Sequence, residues 1–254
     1  MIRLIDAGAL PPAPEPLIGC RIETLAACYG DRRDSSGPDF YQSGEGGLLC
    51  RFGDTLLLSG RCAVRELQPF ARMLGIRRIE ARGTLLSSLR GTRRHHTVLA
   101  AVPDQTENLP PPAAAPEAMR RVFSLLCESD PAFATEATYL LWLSDLTRRK
   151  NCGRAQVYLL DDDATACLSA VSPRYAYLSM VAVAPGARRA GLGSRLLRAV
   201  LADCAARSLI VLTAAQDDAL LPFYRSAGFD VQPDPLVSLT LFPHPFPIPS
   251  PQGV

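Results

Sequence analysis

Over residues 17–29, Leu17, Ile18, Ile22, Leu25, Ala26 and Tyr29 recur at helical spacing and predict an amphipathic helix. Two apolar runs, 48–52 and 55–59, flank Gly53-Asp54 and predict a hairpin. Glycine first in a two-residue loop suits a type II′ turn, whose twist matches that of the strands. Val64, Leu67, Ala71 and Leu74 mark a helix that ends at Gly75, and 76–81 reads as a further strand. Farther along, Leu140, Leu141, Leu143 and Leu146 place a helix over 135–149, with basic residues at its C-terminal end, where they oppose the dipole. Runs at 154–160 and 165–171 flank the polar turn Asp161-Asp162-Asp163. The stretch 175–184 is apolar on both faces, as a covered central strand must be, and stops at Pro185-Gly186. A helix over 191–207 follows, with Leu192, Leu196, Leu197, Val200, Leu201 and Cys204 on one face. The pattern closes with a buried strand at 209–213, a short helix up to Gly228 and an extended stretch near 236–242.

Composition divides this pattern. Residues 103–116, PDQTENLPPPAAAP, lack apolar periodicity and are dense in proline, which fixes φ and removes an amide donor. The expected organisation is a first domain at 1–102, a linker at 103–116, a second domain at 117–242 and a Pro-rich tail at 243–254. Hydrophobic residues are 48% of the chain, enough for a packed core. A net charge of +2 excludes a strongly basic nucleic-acid or membrane-surface binder on bulk charge. No apolar run approaches the ~18 residues of a membrane span, and the proline-interrupted N-terminus is not a secretory signal, so a cytoplasmic protein is expected. The eight cysteines never pair as Cys-x-x-Cys and read as small hydrophobes rather than metal ligands or disulfides. Arg90 to His96 is the one local basic cluster and reads as a solvated loop rather than a nucleic-acid patch. His95 and His96 have no cysteine or acid at ligand spacing, so no metal is expected.

The chemistry concentrates after the strand at 175–184. A buried strand enters a loop containing Gly186, Gly191 and Gly193, and that loop opens an amphipathic helix. Amides at a helix N-terminus lack internal partners and carry the positive end of the dipole, so they bind phosphate oxygens. Glycines let the backbone approach, and Arg188 and Arg189 add positive charge. A Walker loop is excluded because Leu192 stands where the lysine must be, and a dinucleotide fingerprint because Leu196 replaces its third glycine. What fits is Arg-x-x-Gly-x-Gly at Arg188, Gly191 and Gly193, preceded by Val181-Ala182-Val183. This resembles motif A of the GNAT superfamily of acyl-CoA N-acyltransferases. Phe223-Tyr224-Arg225-Ser226-Ala227-Gly228-Phe229 looks like the family's motif B.

The resemblance implies an α+β fold with a mixed sheet, and acetyl-CoA as cosubstrate without a metal. It places the thioester along Val181, Ala182 and Val183, and the pyrophosphate on amides of Arg188, Arg189, Ala190, Gly191, Leu192, Gly193 and Ser194. It makes Tyr224 the acid that protonates the departing thiolate. Two departures stand out: Asp217 where many members have Asn, and no carboxylate in Tyr177-Leu178-Ser179-Met180 to act as base. Glu136, Asp145 and Asp163 could serve through water, but a surface role is expected for each. The first half, read as strands 40–42, 48–52 and 55–59, a helix at 63–74 and a strand at 76–81, resembles a degenerate GNAT-like repeat that binds no CoA. An accessory α+β recognition domain or a dimerisation element are its alternatives. The implied reaction is acetyl transfer to a small-molecule amine or a protein N-terminus, with no nucleic-acid or membrane partner and a homodimer allowed. A non-catalytic acyl-CoA-binding or regulatory module, or transfer of another acyl group, are the competing readings.

Overall fold

The computed structural model describes residues 1–30, 37–83, 85–103, 113–136 and 138–241. The first half runs β1 (Arg3–Ile5), α1 (Pro16–Tyr29), β2 (Asp39–Gln42), β3 (Leu48–Phe52), β4 (Thr55–Ser59), α2 (Val64–Met73), β5 (Arg78–Arg82) and β6 (Gly91–Ala101). The second begins with α3 (Met119–Ser129), α4 (Pro131–Glu136), α5 (Tyr139–Asn151), β7 (Gln156–Leu160) and β8 (Ala164–Val171). It continues through β9 (Tyr175–Val183), α6 (Leu192–Ala206), β10 (Ile210–Ala215), α7 (Leu221–Ser226), β11 (Asp230–Val231) and β12 (Leu236–Leu241).

All twelve strands join one mixed sheet in the order β1-β2-β3-β4-β5-β12-β6-β10-β9-β8-β7, with β11 on β6. Among the described strands the parallel pairs are β4–β5 and β9–β10, each joined by a crossover helix, α2 and α6. The halves therefore repeat one motif: antiparallel strands, a helix, a parallel strand. They also exchange strands. β12, from the end of the described chain, lies between β5 and β6, with Leu239 opposite Ile79 on one side and Arg93 on the other. Residues 97–101 of β6, from the first half, pair with β10, while Leu99 and Ala100 also face β11.

α1 fastens the two halves across one face of this sheet. Its start is set by Glu15, whose carboxylate accepts from the amides of Leu17 at 3.1 Å and Ile18 at 2.7 Å, with Pro16 supplying a pre-set φ. Leu17, Ile18, Ile22 and Leu25 then pack in one cluster with Leu57 of β4, Leu236 of β12, Val98 of β6 and Leu212 of β10. Each such side chain contributes roughly 1.5–3 kcal/mol on burial. Thr24 accepts from the Val171 amide at 3.0 Å, and Arg21 forms an ion pair with Glu80 on β5. α3 and α5 cover Val157, Cys167 and Ala182 in a separate cluster. α6 and α7 pack with Leu178, Val211 and Leu99, and α2 packs with Leu58, Ile79 and Leu239.

Several expectations change. Residues 91–96 form the first part of β6 rather than a solvated loop. Only β12 pairs with that part, so its other edge is bare among the described residues, and charged side chains suit such an edge. The helix expected over 135–149 is two helices, α4 and α5, with Thr138 in extended conformation between them. α3 has no counterpart in the sequence pattern: its inward residues Met119, Val122, Leu125 and Leu126 follow directly on the proline-rich stretch. Most of the expected linker, 104–112, and the tail at 242–254 lie outside the described residues.

Strand exchange makes a testable link between distant positions. Leu239→Ala alters the last strand, yet it empties the cluster beneath α2 in the first half, where Leu239 is fully buried. It should destabilise the protein by about 2–5 kcal/mol in urea unfolding, with faster amide exchange in β5.

Candidate active site

The site is built where two parallel strands part. β9 and β10 pair only through residues 175–178, matched to 210–213. Beyond Leu178 no ladder joins residues 179–183 to β10 among the described residues, while β8 still holds the other edge through Val183. An opened parallel pair leaves backbone amides and carbonyls without ladder partners, directed into the gap. A bulge sharpens the divergence. Ser179 faces Cys167 and Ala182 faces Thr165, so Met180 and Val181 lie together between those pairs. Met180 takes a left-handed φ of 51°, which an L side chain rarely adopts. The phase of the strand changes there. Val181 and Val183 pack with the α6 cluster, while Met180 and Ala182 join the cluster under α3 and α5.

The strand leads into a short turn whose course is fixed by backbone contacts. The Ala184 amide donates to Asp163 at 2.7 Å, and Arg188 Nε donates back to the Val183 carbonyl at 3.2 Å. Arg189 and Gly191 both have positive φ, 68° and 78°. Gly191 is the N-cap of α6, and no side chain caps that helix. The Arg195 amide closes the first turn onto the Gly191 carbonyl at 3.0 Å, and the amides of Leu192, Gly193 and Ser194 precede it. Arg188, Arg189, Ala190, Gly191 and Ser194 are exposed, and Leu192 and Gly193 are half-buried. Gly193 answers a packing need: a Cβ there would lie 3.3 Å from the Phe223 ring and 3.4 Å from Val183. The three-glycine loop is therefore an open turn of backbone donors, seated against the strand end by one glycine and bent by another.

Tyr224, on α7, is buried at 7% exposure between Phe223 and Phe229, with edge-on ring contacts at 5.1 and 5.5 Å. It packs in one cluster with Leu178, Val181, Val183 and Leu192. Leu178 and Thr213 are the last matched pair of β9 and β10, so Tyr224, packed with Leu178, stands at the fork. Burial pushes the Tyr224 phenol above its ordinary range, and Thr213 offsets part of that. The strand amides, the loop and Tyr224 are thus brought together, and Phe223 links α7 to the first turn of α6.

The remaining sequence candidates are resolved individually. Asp217 caps the turn before α7, its carboxylate accepting from the Ala219 amide at 2.9 Å, a role that either Asp or Asn fills. Asp145 accepts from Tyr29 at 2.5 Å and pairs with Arg149 at 2.7 Å. Asp163 lies in the β7–β8 turn, 3.4 Å from Arg121. The Glu136 side chain lies outside the described residues. Sequence reasoning missed Thr213, the Met180 bulge, and Tyr177, which Arg21 covers at 5.6 Å from its ring centre. None carries a local signal, because each role arises from strands and helices distant in the chain.

Among its described residues the first half has neither feature. β4 pairs with β5 through Leu58 and Ala81, so no fork opens at the matching place. Glu66 occupies the first turn of α2 and binds the N-terminal amine at 2.8 Å, an acid where a cradle for anions needs bare amides. Gly60 is closed over by Pro14, which lies 2.5 Å from where a Cβ would stand.

Comparison with known proteins agrees with this geometry. The model of the acetyltransferase (GNAT) family matches residues 106–229. No curated protein sequence matches. Among solved structures, the chain resembles a GCN5-related N-acetyltransferase from Sphaerobacter thermophilus, with TM-score 0.58, 14% identity and 94% of each chain covered. It resembles a tandem GNAT protein from the clavulanic acid biosynthesis pathway, with TM-score 0.53, 16% identity, and 94% of this chain and 97% of that one covered. A putative GNAT-family acetyltransferase from Novosphingobium aromaticivorans matches with TM-score 0.55 and 18% identity over 79% of this chain and 89% of that one. With the fork, the loop and the repeated motif all in place, residues 106–229 match the GNAT acetyltransferase family and the chain has the fold of two GNAT units in tandem, the first of them degenerate.

Proposed function

We propose that the second unit, residues 117–242, is an N-acetyltransferase that moves an acetyl group from acetyl-CoA to a primary amine, with residues 1–102 as its supporting unit. The observation that carries this reading is Tyr224, buried against Leu178, Val181 and Val183 where β9 and β10 separate, beside an uncapped helix start. Acetyl-CoA supplies an activated thioester. Amides of Val181 and Val183 hold its carbonyl and polarise it, and amides from Arg188 to Ser194 hold the pyrophosphate. The neutral amine attacks the carbonyl carbon directly and the carbon–sulfur bond breaks. Tyr224 gives its proton to the leaving thiolate, and the proton lost by the amine passes to water. The acceptor is a small-molecule amine or a protein N-terminus, and the setting is cytoplasmic; no described helix is long and apolar enough to cross a membrane. A non-catalytic acyl-CoA-binding module is the second reading, favoured by the engagement of Asp145 and Asp163 elsewhere.

Calorimetric titration of the purified chain with acetyl-CoA, followed by thiol release against a panel of amines, separates these readings. Binding with turnover supports the transferase, binding without turnover the module, and no binding overturns both. Gly191→Asp sets a carboxylate and a side chain against the phosphates and should weaken CoA binding at least tenfold in the same titration. Tyr224→Phe should leave CoA affinity unchanged and lower kcat by about 10²-fold. Because burial raises the Tyr224 pKa above that of a free phenol, ~10, the proton is present throughout neutral and mildly alkaline pH. Wild-type kcat should therefore show no loss from this group up to about pH 9, measured as a pH profile at saturating amine.

A further inference from the structure

On the α1 face of the sheet, a cavity of about 180 Å³ lies at the end where β9 and β10 part. Arg21, Arg78, Glu80 and Arg149 line it, with Phe52 and Leu57 among its apolar walls. Strand directions set its place. Three successive antiparallel pairs, β5–β12, β12–β6 and β6–β10, make β5 run opposite to β10. The start of β5, where Arg78 and Glu80 lie, therefore stands at the same end of the sheet as the fork. Leu57 is matched to Glu80, Tyr177 is matched to Leu212, and Leu57, Leu212 and Tyr177 pack in the cluster beneath α1, so the cavity and Tyr177 share a face. Two of the arginines reach the fork itself. Arg21 pairs with Glu80 and lies 5.6 Å from the centre of the Tyr177 ring, one residue before the last matched pair. Arg149 Nη1 donates to the Ser169 carbonyl at 3.0 Å, and the Ser179 hydroxyl donates to that of Ser169 at 2.8 Å. Ser179 is the first residue of β9 beyond its ladder with β10.

We propose that this cavity holds an acid group of the acceptor, so that the amine acetylated at the fork belongs to a small molecule carrying a carboxylate or a phosphate. The proposal rests on the acetyl-transfer reading and names its substrate class. A guanidinium presents five N–H donors. Among the described residues Glu80 engages Arg21 through one nitrogen, while Asp145 and the Ser169 carbonyl engage Arg149. Donors on both remain for a ligand, and a planar guanidinium matches the paired oxygens of a carboxylate or phosphate. The same bonds hold both guanidiniums in place before any ligand arrives, which lowers the ordering cost of binding. Burial would raise the Glu80 carboxyl, but the Arg21 guanidinium outweighs it and holds Glu80 below its ordinary range, so Glu80 stays ionised and keeps Arg21 seated. Phe52, whose ring centre lies 6.0 Å from the Arg149 guanidinium, and Leu57 supply walls of low polarity, where charges attract more strongly than in water. The volume has room for on the order of ten waters, which suits an acid group on a short carbon chain rather than a polypeptide. Arg21, Arg78 and Glu80 all come from the first unit, which thereby supplies the acceptor subsite, while the second unit adds Arg149 and the reacting centre.

The test uses the full chain at saturating acetyl-CoA and follows thiol release with straight-chain amines in matched sets: the ω-aminocarboxylic acid, the ω-aminophosphonic acid and the uncharged alkylamine of each length. At the length that spans fork and cavity, an acid should exceed its uncharged partner by about tenfold or more in kcat/KM, chiefly through KM, the worth of one charge-assisted hydrogen bond. The carboxylate and phosphonate arms show which acid the cavity takes. The preferred acid without its amine should inhibit competitively against the amine and not against acetyl-CoA, which separates this cavity from the pyrophosphate loop. Arg78→Gln, at a half-buried lining residue, should shrink the preference for the acid by about fivefold. Equal kcat/KM for acids and uncharged amines, inhibition competitive with acetyl-CoA alone, or an undiminished preference in Arg78→Gln overturns the proposal and leaves the transferase standing. No turnover of any amine with acetyl-CoA bound overturns the transferase reading instead, and the acceptor assignment falls with it. Because the wild-type ratios decide the matter alone, a failure of Arg78→Gln to fold leaves the test intact.

Discussion

Two parallel strands that stop pairing midway leave backbone donors and acceptors facing a gap, and the second unit is organised around sustaining that arrangement between β9 and β10. β8 pairs with β9 through to Val183 while the other edge of β9 has no ladder beyond Leu178 among the described residues, and the bulge at Met180 changes which residues face the gap. α6 runs from the end of the same strand, so its uncapped amides lie at one end of the opening. Thr213 and Tyr224 stand at the other, where the ladder ends. Unpartnered polar backbone is tolerated in a folded protein where water or a ligand reaches it. The first unit shows the alternative: its matching strands stay paired, Pro14 covers the junction, and an acid sits in the first turn of the following helix.

Rigidity around the fork comes from the exchange of strands. β10 is flanked by β9 on one side and by a strand of the first unit on the other, so the fork cannot widen without disturbing the first unit. α1 adds a second tie, since its apolar face packs with strands of both units and its Arg21 pairs with Glu80 on β5 while covering Tyr177 on β9. The degenerate unit thus acts as a brace.

Much of the second unit was legible in the sequence because its signals are local. The two-faced apolar run of β9, the glycines of the loop and the Phe-Tyr motif of α7 all constrain chemistry within a few residues of themselves. Tyr224 and the loop come together as their order implied, and Asp217 proves to be a cap instead of a loss. The illegible parts are non-local. β6 reads as a polar cluster because its first part, carrying Arg94 and His95, has a bare edge among the described residues, and edge strands do not need apolar alternation. Nothing near residues 236–241 states that they pair with β5, and no side-chain pattern marks a methionine that turns left-handed inside a strand. Thr213 matters only because β10 ends its ladder there.

The position of β12 also governs the order in which this protein can finish folding. During synthesis β12 leaves the ribosome after every other described strand, yet it fills the space between β5 and β6, both made long before. Until it arrives, those two strands wait with open edges, and the nascent first unit is held incomplete through the making of the second. Such late, long-range closure slows folding and favours contact with chaperones while the edges are bare. Neither unit has an independent history: they become native together, after translation has passed residue 241.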